Sequence, residues 1–355
     1  MIYNCHIHTF RDVDVPVKFL PFGLVRLLAS QSFSRTLITL LNHINPFSSN
    51  DLFDRYARFV QMGKLGSQRR ILDECKKYYP EDTRFVVLAM DLAYMEAGGV
   101  PRPYANQLRE LSEMKRTCPQ VIPFIHIDPR RPECFDLFRQ SVEEWGFEGL
   151  KIYPPIGYFP HDERLYPIYD YCQEHSLPVI THCSPYNPVH FRGSRKTLMR
   201  LLSDSLVELG DPQASKKILC STFSHPANWE KVATDFPRLR ISLAHFGSGY
   251  WWSRYLDNPG DQGNWLTIIR KMISKHDNIY TDVSFTMSDT GFFSLLKVLL
   301  TNDQLRKRVL FGSDFYMVET EATERRFGLD LRAFIGEENF HTIATENPMQ
   351  FLDKQ

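Results

Sequence analysis

Two histidines stand two residues apart near the start of the chain, His6 and His8 in NCHIHTF (4–10). Alternate side chains of a β-strand share a face, so this spacing predicts Asn4, His6 and His8 on one side and Cys5 and Ile7 on the other. Two imidazoles on a buried face must be satisfied, because an unpaired polar group in the interior is costly. Either each finds a hydrogen-bond partner or one cation takes both. The same polar intrusion recurs at the ends of three other apolar runs: His182 in LPVITHCS (177–184), His245 in LRISLAHFG (239–247) and Asp314 in RVLFGSDF (308–315). Neutral imidazoles with a carboxylate are the donors that suit zinc and related divalent ions. Such an ion activates water and polarises carbonyl groups.

These residues need a scaffold that brings distant segments together. Eight short apolar runs supply one: 1–9, 84–92, 121–129, 149–155, 177–184, 239–247, 278–285 and 308–315. Most are rich in Val, Ile, Leu and Phe without clean alternation, as strands buried on both faces are. Helical patterns such as 134–146, 163–175 and 265–276 fall between them. The alternation predicts an α/β fold, a (β/α)8 barrel, with a doubly wound open sheet as the alternative. In a barrel the C-terminal strand ends share one mouth, which would gather His6, His8, His182, His245 and Asp314. The whole chain, 1–355, reads as one such domain. A helical cap is expected over about 11–83, including two amphipathic helices in 19–47, and a second insertion over about 186–218.

Composition narrows the class. Lysine plus arginine equals aspartate plus glutamate at 42 each, so no basic excess points to nucleic acid. Seven scattered cysteines without a CxxC pair suggest reduced thiols and a cytoplasmic location. The apolar 19–47 stretch is interrupted by Arg26 and Arg35, which argues against a membrane span, and a signal peptide is hard to fit before His6. The expected partner is a small molecule, with a second copy of the chain as the one protein partner that the apolar insertion suggests.

The succession HIH, LKIYPP (150–155), THCS (181–184), DFPRLRISLAHFG (235–247), VLFGSDF (309–315) and TENPMQFL (345–352) resembles the amidohydrolase superfamily. More narrowly it is similar to the branch holding amidohydrolase-related hydrolases and aminocarboxymuconate-semialdehyde decarboxylase. The resemblance implies a metal, most readily zinc, on His6, His8, His182 and Asp314. His245 would be a second-metal ligand, or in a one-ion site the residue that polarises substrate or shuttles a proton. Lys151 stands where two-metal members carry a bridging lysine carbamate; one ion is the favoured count, and two would recruit Lys151 and His245. Asp314 and His245 are the expected catalytic pair. Asn4 and Asp282 are candidates to hold the histidines from behind, with ordinary polar packing the alternative for each.

The implied reaction is attack of metal-activated water on an amide, ester or lactone carbon. Non-oxidative decarboxylation of a small aromatic or unsaturated acid is the alternative, and a catalytically silent barrel that binds a ligand or partner is a third reading. TFRDVDVP (9–16) lacks the short approach to proline of the decarboxylating relatives, which weighs toward hydrolysis. Arg254, Trp251 and Arg192 are candidates to bind substrate, an arginine there receiving a carboxylate. His126 and His225 read as structural. His161, His175, His190, His276 and His341 read as surface residues.

Overall fold

The computed structural model describes residues 1–19 and 61–354. Nearly all of the 19–47 helical expectation, and much of the cap expected over 11–83, therefore lie outside the described residues. What is described of the cap includes a helix at Gln68–Lys76, capped by Ser67, whose hydroxyl accepts from the Arg70 N–H.

Eight strands run in the order of the apolar runs: β1 Tyr3–Ile7, β2 Arg84–Leu88, β3 Val121–His126, β4 Gly149–Ile152, β5 Val179–Thr181, β6 Ile241–Leu243, β7 Ile279–Asp282 and β8 Val309–Leu310. Each pairs in parallel with the next. Backbone bonds from Cys5 N–H to the Phe311 carbonyl (2.8 Å) and from Asp314 N–H to the His6 carbonyl (2.7 Å) bring the last strand back to the first. The fold is a (β/α)8 barrel. Its strands show little alternation because both faces are covered. Cys5, Leu88, Phe124, Ile180 and Leu310 pack inside, while Val87, Ile125, Leu150 and Leu243 face the helical layer. The helix at Trp265–Lys275 shows how that layer forms. Asn264 caps it by accepting from Leu266 N–H, and Leu266, Ile269, Met272 and Ile273 recur at helical spacing on its buried side.

Strand β1 departs from the simple alternation expected of it. Its register against β2 shifts between Asn4 and Ile7. Cys5 joins the interior cluster, yet the His6 ring also turns inward, and Asn4 faces the helices instead of sharing the histidines' side. An irregularity of this kind re-aims a side chain at the cost of one ladder position. The expected grouping of Asn4 with His6 and His8 is thereby corrected.

Between residues 186 and 218 the chain forms a helix at Arg195–Leu201 and the start of another at Lys216–Cys220. Leu198, Leu202 and Leu219 pack with Phe159, Phe191 and Phe223 in a small core of their own, apart from the barrel. Among the described residues no helix is long and apolar enough to cross a membrane. All seven cysteines are buried and unpaired.

A polar network joins β1 to the segment after β8. Asn4 Oδ1 accepts from Ser313 N–H (3.0 Å), and its amide donates to Ser313 Oγ (2.8 Å). Glu324 Oε1 accepts from Tyr79 Oη–H (2.5 Å) behind this pair. Burial pushes the Glu324 carboxyl up to about 7, against the lowering effect of hydrogen bonds from Ser313 and Tyr79. A carboxyl raised in the folded state stabilises the fold most at acid pH, and that contribution is lost as pH climbs from its ordinary value near 4.5 through about 7. Comparing urea midpoints at pH 5 and pH 8, Glu324→Gln should remove a pH-dependent loss on the order of 3 kcal/mol present in the parent chain. Gly312 offers a second check. A Cβ there would stand 2.8 Å from the His6 Cβ and 3.1 Å from its backbone nitrogen. Gly312→Ala should lower stability by about 1–3 kcal/mol in the same urea assay, as overpacking does.

Candidate metal centre

The residues singled out at the strand ends converge. His6 leaves β1 with Nδ1 3.0 Å from Asp282 Oδ2, at the end of β7. A carboxylate can only accept here, so the proton sits on Nδ1 and the Nε2 lone pair faces the mouth. His8 repeats the arrangement, its Nδ1 3.1 Å from the Leu88 carbonyl. His245 does so a third time, its Nδ1 3.1 Å from the Ser284 carbonyl. Three rings thus present Nε2 inward. Asp314 Oδ1 lies 3.7 Å from His6 Nε2 and 3.4 Å from His8 Nε2. Donor atoms of His6, His245 and Asp314 all fall within 4.8 Å of one another.

Backbone geometry aims two of these groups. His245 and Asp314 both occupy the left-handed region, at φ 65° and 64°. Residues other than glycine hold such a conformation only where their surroundings fix it. The fixing bonds are present. His245 N–H donates to Asp282 Oδ1 (2.9 Å), and Asp314 N–H donates to the His6 carbonyl (2.7 Å).

Asp282 sits at the centre of this scaffold. Burial alone would raise its carboxyl, but the His6 and His245 imidazoles and the N–H groups around it hold it well below the ordinary range. Besides His6 and the His245 backbone it accepts from Ser284 N–H and Oγ–H. Burial also drives the His245 imidazole down to about 3 and lowers those of His6, His8 and His182. The rings are therefore neutral at physiological pH, the state in which imidazole binds a metal.

This donor set fits a divalent cation. Tetrahedral ligands at bonds of roughly 2.0–2.1 Å stand about 3.3 Å apart, close to the 3.1–3.7 Å separations among these groups. His6 Nε2 and Asp314 Oδ1 are both buried and lack any hydrogen-bond partner. Buried orphans of like demand, a lone pair facing a carboxylate oxygen, are both acceptors and are satisfied by a positive centre between them.

The remaining expected residues are placed as follows. His182 reaches the group through His245, its Nδ1 3.1 Å from His245 Nε2, while its Nε2 meets Ser184 Oγ (2.9 Å) and Asn187 Nδ2 (2.8 Å). Lys151 is fully buried inside the barrel, with Nζ unpartnered. Burial drives its ammonium down to about 8, against the pull of Asp314 and Asp282. A cavity of about 440 Å³ opens above the group, with His8, His182, His245 and Asp314 in its lining. Arg254, Trp251 and Arg192 do not line it. Arg254 lies over the ring of Tyr250, Trp251 stacks on Trp265, and Arg192 donates to the Pro188 carbonyl. His126 is satisfied by the Asp91 N–H and Tyr158 Oη, and His225 caps the turn at Pro226–Trp229, as their structural readings hold. His190 is corrected: it is buried beneath the loop after β5, its Nδ1 2.9 Å from the Asn187 carbonyl.

The sequence did not single out Ser284, Asn187 or Tyr153. Ser284 follows Asp282 by the two-residue step that keeps a side chain on the same face, a signal that was there to read. Asn187 and the Tyr153 ring, 4.7 Å from that of His182, depend on loop paths that no periodicity encodes.

Comparison with known proteins places this geometry. No curated protein matches the chain. Among solved structures, an uncharacterised TIM-barrel protein from Bordetella bronchiseptica is similar at 16% identity and TM-score 0.56, over 99% of this chain and 98% of its own. A 5-carboxyvanillate decarboxylase from Novosphingobium aromaticivorans, solved with manganese, is similar at 13% identity and TM-score 0.58, over 99% and 97%. The 4-oxalomesaconate hydratase of Rhodopseudomonas palustris is similar at 16% identity and TM-score 0.51, over 100% and 96%. At these identities the likeness speaks for the barrel. The amidohydrolase family model matches residues 100–354, reaching from before β3 through the Asp314 turn to the last helix, and the chain belongs to that metal-dependent enzyme family.

Proposed function

We propose that the chain is a metal-dependent hydrolase that adds water to an amide, ester or lactone carbon of a small molecule. The observation that carries this reading is the meeting of three inward Nε2 atoms with Asp314 Oδ1 on the floor of a largely apolar cavity. One divalent ion, zinc by donor type, would be held by His6, His8, Asp314 and the paired imidazoles of His182 and His245. Bound there, it would bring the pKa of a water toward neutrality and polarise a carbonyl.

The chain's own groups do the rest. Asp314 Oδ1, 3.4 Å from His8 Nε2, is the acceptor placed to take the water's proton and return it to the leaving group. Asp282 keeps the His6 proton on Nδ1 and so keeps Nε2 free. His245 Nε2 and His182 Nδ1 stand 3.1 Å apart, a separation at which the two rings could ligate the same ion. The apolar walls exclude competing water. Lys151 serves here as a buried cation inside the barrel that offsets the negative charge of Asp314 and Asp282, without bridging two ions. Seven unpaired cysteines accord with a cytoplasmic setting.

Elemental analysis of protein prepared without chelator should give one equivalent of metal, retained in Lys151→Ala. Loss of an equivalent in that variant would favour a two-ion centre. Asp282→Asn should weaken metal affinity by roughly 10–100-fold, as loss of a carboxylate behind a ligating histidine does. With metal restored, Asp314→Asn should lower kcat on an ester, lactone and amide panel by about 10²–10⁴-fold. Release of carbon dioxide from aromatic acids, with no hydrolysis anywhere in the panel, would overturn the hydrolase reading in favour of a decarboxylase.

A further inference from the structure

The proton between His182 and His245 can be placed atom by atom. His245 donates its Nδ1–H to the Ser284 carbonyl (3.1 Å), so its Nε2 is a lone pair. The Nδ1 of His182 stands 3.1 Å from that lone pair. Two lone pairs at this distance repel, and the contact is resolved either by a proton on His182 Nδ1 or by a cation between the rings.

The other nitrogen of His182 decides between these. Ser184 Oγ lies 2.9 Å from His182 Nε2 and Asn187 Nδ2 lies 2.8 Å from it. A hydroxyl donates or accepts, so Ser184 serves either tautomer. An amide changes role only by turning over, and Asn187 is held against turning. Its Oδ1 accepts from the Val189 N–H (2.7 Å), a group that only donates, which leaves Nδ2 as the atom aimed at His182. Its backbone carbonyl is bonded to His190 Nδ1 (2.9 Å). Burial keeps the His182 ring neutral, with a single proton to place. Asn187 donates to Nε2, so that proton is on Nδ1 and goes to His245. The bonds run in one direction, from the Val189 N–H to Asn187, from Asn187 to His182 and from His182 to His245.

This tautomer withholds both rings from an ion, because His182 has no lone pair at Nδ1 and that of His245 is taken. Sharing an ion requires the other tautomer. The proton leaves Nδ1, one is regained at Nε2 from solvent, and Ser184 Oγ accepts it, so the ring keeps one proton and none is released overall. The Asn187 amide then faces donor to donor and must leave the Val189 N–H. Asn187, Pro188 and Val189 line the cavity, so the turn is felt in its wall.

We propose that Asn187 is a positioning residue that sets the tautomer of His182 and opposes recruitment of the His182–His245 pair by a metal ion, which takes the pair only by turning Asn187 and loosening the loop after β5. The inference rests on the metal centre of the hydrolase reading, not on the reaction.

Competition against a chelator of known zinc affinity, on the zinc-stripped full chain, tests it. Asn187→Ala removes the opposing donor and should bind zinc at least about fivefold more tightly, the equivalent of one opposed hydrogen bond. Truncating a residue that merely pins its loop would weaken zinc binding or leave it unchanged, and either result would overturn the proposal. A second measurement needs no substitution at Asn187. Nitrogen-15 spectra of the histidine-labelled chain, with His182 assigned by its absence from His182→Gln, should show a protonated Nδ1 and a bare Nε2 before zinc, and a protonated Nε2 with zinc bound. A protonated Nε2 before zinc, or a pattern that zinc leaves unchanged, would overturn the proposal even where Asn187→Ala fails to fold. Failure of the parent chain to take up zinc would overturn the metal reading and the proposal together. Zinc uptake with Nε2 protonated throughout would strike the proposal and leave that reading standing.

Discussion

One buried carboxylate organises the mouth of this barrel. Asp282 sits at the end of β7 with no solvent exposure, and a charge so placed must be met from every side. It is met by His6 from β1, by the backbone of His245 after β6 and by Ser284 from its own segment. Three segments far apart in sequence are thereby tied at one point. The consequence is chemical as well as structural. Because Asp282 can only accept, it settles which nitrogen of His6 carries the proton, and the other nitrogen is left as a lone pair facing Asp314. Leu88 and Ser284 do the same for His8 and His245 through backbone carbonyls. A site of converging lone pairs is unfavourable by itself, so the fold holds in place a demand that a cation answers.

Holding that demand costs backbone strain as well as burial. His245 and Asp314 lie in the left-handed region, and β1 gives up regular pairing between Asn4 and Ile7. Each departure turns a side chain toward the centre that a regular strand would point along the wall or outward. The Asn4–Ser313 pair braces the same two segments from behind, with Asn4 accepting from the N–H of Ser313 beside Asp314. Irregularity thus gathers where positioning matters, while β2 through β4 remain regularly paired.

Which parts were legible in the sequence follows from the same physics. All eight strands lie within the apolar runs, since a strand covered on both faces must be apolar almost throughout. The residues that break that rule near the strand ends, His182, His245 and Asp314, stood out for the same reason. Asp282 could be picked as a partner because it ends β7. The twist of β1 was not legible, because alternation is the default and only the pairing with β2 shows the shift. The burial of His190 and the turning away of Arg254, Trp251 and Arg192 were not legible either. Their side chains are set by loops whose course depends on long-range contacts, such as the stacking of Trp251 on Trp265 and of Arg254 on Tyr250. A polar residue in an apolar run carries information; an arginine in a polar loop carries little.

The distribution of charge across the site follows from these placements. Lys151 and Asp282, one of each sign, are both sealed from solvent. At the floor stand neutral imidazoles and Asp314; above it the walls are apolar, with Glu321 among the lining residues. Among the described residues that line the cavity there is no lysine or arginine, so a divalent ion would be a strong positive centre on its floor. Electrostatic attraction in a low-dielectric enclosure is steep with distance, so the group of a ligand bearing partial negative charge, a carbonyl oxygen for instance, would be drawn to the floor while its apolar remainder stayed against the walls. Orientation then comes from the contrast between a polar floor and apolar sides.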